Sequence, residues 1–163
     1  MPVTINGTTG VVGPDGSAST PSYQGTDSNT GIFFPAADTI AFAEGGVEVG
    51  RFDSSGNFLF NSGYGSAAIA YACRAWVNFN GTGTVAIRAS GNVSSITDNG
   101  TGAYVVNFTT AISDTNYSVT ADCSGTSFVR LNTLNTGNID ITTLSTNGVT
   151  GQDTSIVCLA IFR

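Results

Sequence analysis

RAWVNFNGTGTVAIRASGNVSSITDNGTGAYVVNFTT, residues 74–110, decides the fold of this 163-residue chain. Strand-length runs at 74–80, 84–89, 93–97 and 103–110 alternate with the turn words Asn80-Gly81 and Asn99-Gly100. Asn-Gly between such runs predicts a hairpin, because both central residues of a type I′ turn need positive φ. In the last run Tyr104, Val106 and Phe108 share one side while Asn107 and Thr109 take the other. That period of two belongs to a half-buried strand.

The same texture continues downstream. Tyr117, Val119, Ala121 and Cys123 alternate with Ser118, Thr120 and Asp122, and runs at 128–133, 138–144 and 154–162 follow. Asn135-Thr136-Gly137 and Asn147-Gly148 connect them. Strands at this spacing, with no helical stripe between them, predict an all-β chain with a β-sandwich, jelly-roll-like, over 67–163. Residues 67–75 are the one place where a short helical turn competes with a strand. The word Asn-Gly-Thr-Gly occurs at 80–83 and 99–102, which suggests two similar corners rather than a repeat array. Run 154–162 is apolar on both sides and needs cover on both, from a second sheet or from neighbouring subunits. Its packing candidates are Ile156, Val157, Leu159 and Ile161.

Upstream the runs are shorter: 32–34, 39–43, 47–52 and 58–60, separated by Asn29-Thr30-Gly31, Gly45-Gly46 and residues 53–57. None is long enough to bury its own apolar side, so the segment needs a partner domain or copies of itself. Ile32, Phe33, Phe34, Ile40, Phe42, Val47, Val49 and Phe52 are the packing candidates. Residues 1–24 are rich in turn words, with strand character only at 3–5 and 11–12, and read as an extended arm. All four prolines precede residue 36, which marks this half as loopier or edge-like. The expected division is an arm over 1–24, a β-rich segment over 25–62, a linker over 63–66 and the sandwich over 67–163.

Charge is scarce, at 10% of residues against roughly 25% in ordinary soluble domains. Surface polarity must come from Asn, Thr, Ser and Gly. The chain has no lysine and no histidine, and its net charge is −6 with five scattered arginines. A sequence-independent grip on nucleic acid needs clustered positive charge, so nucleic acid is not an expected partner. No apolar run approaches the roughly 20 residues of a membrane-spanning helix, and the first residues lack a basic, then apolar, export signal. Membrane insertion is therefore not expected, and folding in a reducing cytosol is. Cys73, Cys123 and Cys158 read as small buried strand residues, since no CxxC pair or histidine exists to complete a zinc set.

Catalytic equipment is correspondingly thin. Without histidine, acid–base chemistry would fall to carboxylate pairs, Glu44 with Glu48 or Asp98 with Asp114; surface solvation explains them more simply. Residues 53–57 read as a plain turn rather than a calcium loop. No catalytic, cofactor-binding or metal-binding residue is assigned. Trp76 and Tyr104 suit either sugar stacking or core packing, and their place in strand patterns favours the core. Asn92, Asn99, Asn116, Asn132 and Asn135 are candidates for loops that face a receptor, and equally the residues a β-protein uses for turns.

Several stretches carry a resemblance. TINGTTG (4–10), GSASTP (16–21), TDSNTGI (26–32), RFDSSGN (51–57), RAWVNFNGTGT (74–84) and SITDNGTG (95–102) resemble segments of tail-fibre and other virion fibre proteins of bacteriophages, especially aquatic ones. The resemblance implies a homotrimer with intertwined β segments and a globular C-terminal head on the virion surface. It implies contacts with other virion proteins through the N-terminal arm, and with a host surface glycan through the head. It carries no catalytic residue set. Known fibres are commonly longer and begin with a tail-attachment domain, whereas an arm of 24 residues also suits a head fibre or a capsid decoration protein. A glycan depolymerase is the remote alternative.

Overall fold

The computed structural model describes residues 4–8, 10–63 and 67–163, and the described chain contains strands and no helix. It forms two compact units, Met1–Ala70 and Tyr71–Arg163.

In the first unit β1 (Thr4–Asn6) and β2 (Gly10–Val12) form a small hairpin. Six further strands make an antiparallel meander: β3 (Tyr23–Gln24), β4 (Gly31–Phe33), β5 (Ile40–Glu44), β6 (Val47–Phe52), β7 (Phe58–Phe60) and β8 (Ala68–Ile69). Each strand pairs with its sequence neighbours, as short runs joined by tight turns require. The turn after β6 is closed by Asp53, whose carboxylate accepts from the amides of Ser55 and Asn57, both at 2.9 Å, and from Asn57 Nδ2 at 3.1 Å. These bonds, the Asn57 side chain first, hold the Asp53 carboxyl below its ordinary range.

Residues 14–24 do not form an extended arm in this structure. Gly16 bridges Pro21, the Phe34 amide donates to the Asp15 carbonyl at 2.8 Å, and Tyr23 pairs with Ile32. This turn covers one face of the meander, where Phe33, Ala41 and Ala43 are buried with Ala18 packed against them. Gly31 makes the approach possible, since a β-carbon there would meet the backbone of Tyr23.

The second unit is a sandwich of two four-stranded antiparallel sheets. Its strands are β9 (Cys73–Asn80), β10 (Ala86–Gly91), β11 (Val93–Asp98), β12 (Ala103–Phe108), β13 (Ser118–Cys123), β14 (Phe128–Leu134), β15 (Asn138–Leu144) and β16 (Val157–Phe162). One sheet runs β10-β9-β16-β13 and the other β11-β12-β15-β14. Three of the seven connections are hairpins within a sheet, so the finer jelly-roll label does not describe this strand order. Between the sheets lie Val77, Phe79, Tyr104, Val106, Ile139, Ile141, Val157, Leu159 and Ile161, each at most 3% exposed. Phe79 and Tyr104 meet edge to face at 5.2 Å.

The Asn-Gly corners differ from two-residue type I′ turns. Residues 81–85 separate β9 from β10, and neither Asn80 nor Gly81 has positive φ; Gly83 does, at 61°. Residues 99–102 separate β11 from β12, with positive φ at Gly100 and Gly102. The two corners meet at one end of the sandwich. Tyr104 donates its hydroxyl to the Gly81 carbonyl at 2.8 Å and to Asp153 Oδ1 at 2.9 Å, while the Gly102 amide donates to the same Asp153 oxygen at 2.7 Å. A β-carbon on Gly81 would stand 2.6 Å from the Tyr104 hydroxyl, so glycine is a packing requirement at this corner, whereas its counterpart Gly100 has open space. Burial, followed by Asp153, pushes the Tyr104 phenol well above its ordinary range.

Candidate functional surfaces

Cross-strand register assigns the faces of the first unit. Tyr23, Ile32, Phe42, Gly50, Phe60 and Ala68 form one row across the six strands, with Ile40, Phe52 and Phe58 in the next row on the same face. This face is the one turned away from Phe33 and Ala41. Tyr23, Ile32, Ile40, Val47, Phe52, Phe58 and Phe60 remain 36–57% exposed on it. Side chains of this size at that exposure leave on the order of 500 Å² of apolar surface to water, at the upper end for a soluble monomer. Glu44 stands at its rim. Glu48 and Arg51 lie on the opposite face and pair with each other, Nη2 to Oε2 at 2.7 Å.

The packing candidates thus divide. Phe33, Val157, Leu159 and Ile161 are buried within the chain. Phe34, Phe42 and Val49 are half-buried, and Ile32, Ile40, Val47, Phe52 and Ile156 are exposed. Strand β16 is central, between β9 and β13, and its second side carries Cys158 and Ala160, which are half-buried.

The two outer faces of the sandwich differ in chemistry. On the β11-β12-β15-β14 sheet, register places Ser95, Thr97, Asn107, Asn138 and Asp140 outward with Val105 among them, a mostly polar lattice that water can cover. On the other sheet the outward row is Gly91, Trp76, Ala160 and Thr120, beside Ala89, Asn78, Cys158 and Asp122. Trp76 is 43% exposed there, which corrects the expectation of core packing for it, whereas Tyr104 is buried at 1%. The cysteines are all free; Cys123 is buried, Cys158 half-buried, and Cys73 exposed, contrary to the expectation of burial.

The five candidate asparagines do not gather on one surface. Asn92 (φ 56°) is a structural corner: its amide nitrogen donates to the carbonyls of Arg74 at 3.2 Å and Thr110 at 3.0 Å, and its oxygen accepts from the Thr110 amide at 2.8 Å. Asn116 and Asn135 lie in loops at the same end of the sandwich as Asn92, and Asn99 lies at the opposite end. Asn132 is not in a loop. It sits at the bulge of β14, bonded to Thr142 Oγ1 at 2.8 Å and to Arg130 Nε at 3.0 Å.

Three of the four carboxylates considered for catalysis have structural partners, Glu48 through Arg51 as above. Asp114 pairs with Arg163 at 2.6 Å, which holds its carboxyl below the ordinary range. Asp98 accepts the Gly100 amide at 2.9 Å in the β11–β12 turn. Among the described residues no group of three or more potential metal ligands is found, and no helix is long and apolar enough to cross a membrane.

Trp76 and Cys73 are exposed where burial is expected of them. Strand parity was the available signal: Ala75, Val77 and Phe79 alternate with Trp76, Asn78 and Asn80, which assigns the indole to the polar side. Comparison with known protein families, with curated proteins and with solved structures finds no match to this chain.

Proposed function

We propose that this chain is a non-enzymatic virion structural protein of a bacteriophage, a trimeric fibre whose sandwich head binds a host surface glycan. One observation carries the self-association: the apolar outer face of the meander, where seven large side chains remain 36–57% exposed. A face without internal charge also suits association between copies that each carry a net charge of −6, because no like charges meet across it. The assignment to a virion rests on the sequence resemblance. The absence of histidine and the structural use of Asp98 and Asp114 support a binding rather than a chemical role. Leading residues, the β1–β2 hairpin included, dock on other virion proteins, and three weak head sites gain avidity from trimerisation.

Light scattering on the purified protein tests the assembly, with a trimer mass expected; a monomer at micromolar concentration refutes it. Antibody labelling of particles tests the location. Particles lacking the protein should fail to adsorb to host cells. Normal adsorption combined with lost heat resistance would instead assign the chain to reinforcement of the capsid.

A further inference from the structure

The Trp76 indole reaches over the neighbouring strand β10. Its neighbour across β10 is Gly91, and a β-carbon there would collide with the indole, standing 2.9 Å from Cδ1 and closer still to Nε1. Ala160 on the other side carries only a methyl group. The indole thus extends over Gly91 and is 43% exposed, which leaves aromatic surface on which the C–H face of a pyranose can stack. Asn78, two residues along β9 on the same face, stands roughly 7 Å away. Its side-chain oxygen holds Arg88 Nη1 at 3.2 Å, and Arg88 Nη2 also donates to Asn80 Oδ1 and to the Ser155 carbonyl. The guanidinium is thus fixed over this face by neutral acceptors. Among the described residues it has no ion-pair partner. Asp122, the carboxylate on this face, is two strands from Asn78, on the order of 10 Å.

We propose that the outer face of the β10-β9-β16-β13 sheet binds an acidic pyranose of a surface polysaccharide, with its ring on Trp76 and its carboxylate on Arg88. Charge complementarity selects the acidic sugar. An uncompensated, pre-positioned guanidinium in a chain with eleven acidic residues favours a carboxylate, to which its remaining N–H groups can donate. The inference rests on the glycan-binding reading for its ligand class and moves the contact from the loops to the sheet.

Trp76 is the single tryptophan, so its fluorescence reads this surface alone. The purified protein is titrated with hexagalacturonate, oligoguluronate and oligosialic acid, with maltohexaose as the neutral control. At least one acidic oligomer should shield Trp76 from acrylamide quenching while maltohexaose does not. Arg88→Gln should weaken that binding about tenfold, and Gly91→Val, which tilts the indole, by a similar factor. Protection by none of the acidic oligomers, equal protection by maltohexaose, or an unchanged affinity in Arg88→Gln overturns the inference. A fall in oligomeric mass in Trp76→Ala also overturns it, because the face would then be a contact between copies. If Trp76→Ala remains trimeric and still adsorbs to host cells, the sheet-face site fails and the fibre reading stands. If the wild-type protein is monomeric, the fibre reading fails and the titration still decides this one.

Discussion

Phe52 and Phe60 offer the sharpest test of how the first unit completes itself. They are 47% and 50% exposed on the uncovered face of the meander, and they lie in adjacent rows of the sheet. Covering the exposed half of each removes about 100 Å² from water, roughly 2.5 kcal/mol per side chain at about 25 cal/mol/Å². Two such side chains in each of three copies give a gross contribution of roughly 15 kcal/mol, of which binding realises only a part. If a third is realised, about 5 kcal/mol, replacing both by serine weakens assembly by more than about a thousandfold. The Phe52→Ser/Phe60→Ser protein should therefore run as a monomer by light scattering at concentrations where the wild type is a trimer. Its circular dichroism should stay that of a β-protein, because neither ring belongs to the buried Phe33, Ala41 and Ala43 cluster. Arg51→Gln, on the opposite face, is the control and should leave the mass unchanged. A double variant that keeps the wild-type mass would refute the reasoning.

Three further predictions concern the sandwich. Tyr104→Phe removes the hydroxyl whose proton is shared between Gly81 and Asp153 and should cost about 1–2 kcal/mol at neutral pH, lowering the melting temperature by about 4–8 °C for each kcal/mol. Because the folded phenol ionises above its unfolded value of about 10, the wild type should lose stability as pH rises beyond that value, and the variant should lose less; identical alkaline limbs would contradict the assignment. Asn92→Ala loses three hydrogen bonds and forces alanine to φ 56°, whereas Asn92→Gly loses only the bonds, so alanine should be the worse by about 1 kcal/mol in denaturant unfolding. Equal losses would show that the backbone conformation is not maintained. With a thiol reagent Cys73 should react first, while Cys123, buried and with its thiol pushed upward by that burial, should react only on unfolding; native labelling of Cys123 at the rate of Cys73 would refute the placement.

Fold class was legible because the strands obey a period of two and the glycine- and asparagine-rich words fall between them. The runs at 32–34, 39–43, 47–52 and 58–60 sit within a residue or two of β4 to β7. What local reading could not reach was set by contacts distant in sequence. Residues 14–24 look like an arm because their turn words say nothing of the Asp15–Phe34 and Tyr23–Ile32 pairings that fold them back. The Asn80-Gly81 corner reads as a type I′ turn because Asn-Gly favours positive φ; Tyr104, 23 residues onward, needs Gly81 for its carbonyl and for its missing side chain instead.

The two sandwich faces show the same limit from the functional side. Along β9 the alternation Ala75, Trp76, Val77, Asn78, Phe79 assigns the indole outward as firmly as it assigns the phenyl ring inward. A place within a strand does not by itself say which side a tryptophan takes; parity does. Parity alone, however, could not distinguish a platform from an indole folded against a bulky neighbour. That distinction depends on Gly91 and Ala160, which the register of β10 and β16 places on either side of Trp76. Nor could it supply Arg88, which a bulge in β10 lets reach Asn78, Asn80 and Ser155 together. A binding surface on the flat of a sheet is assembled from neighbours on separate strands, so it becomes visible only once register is known.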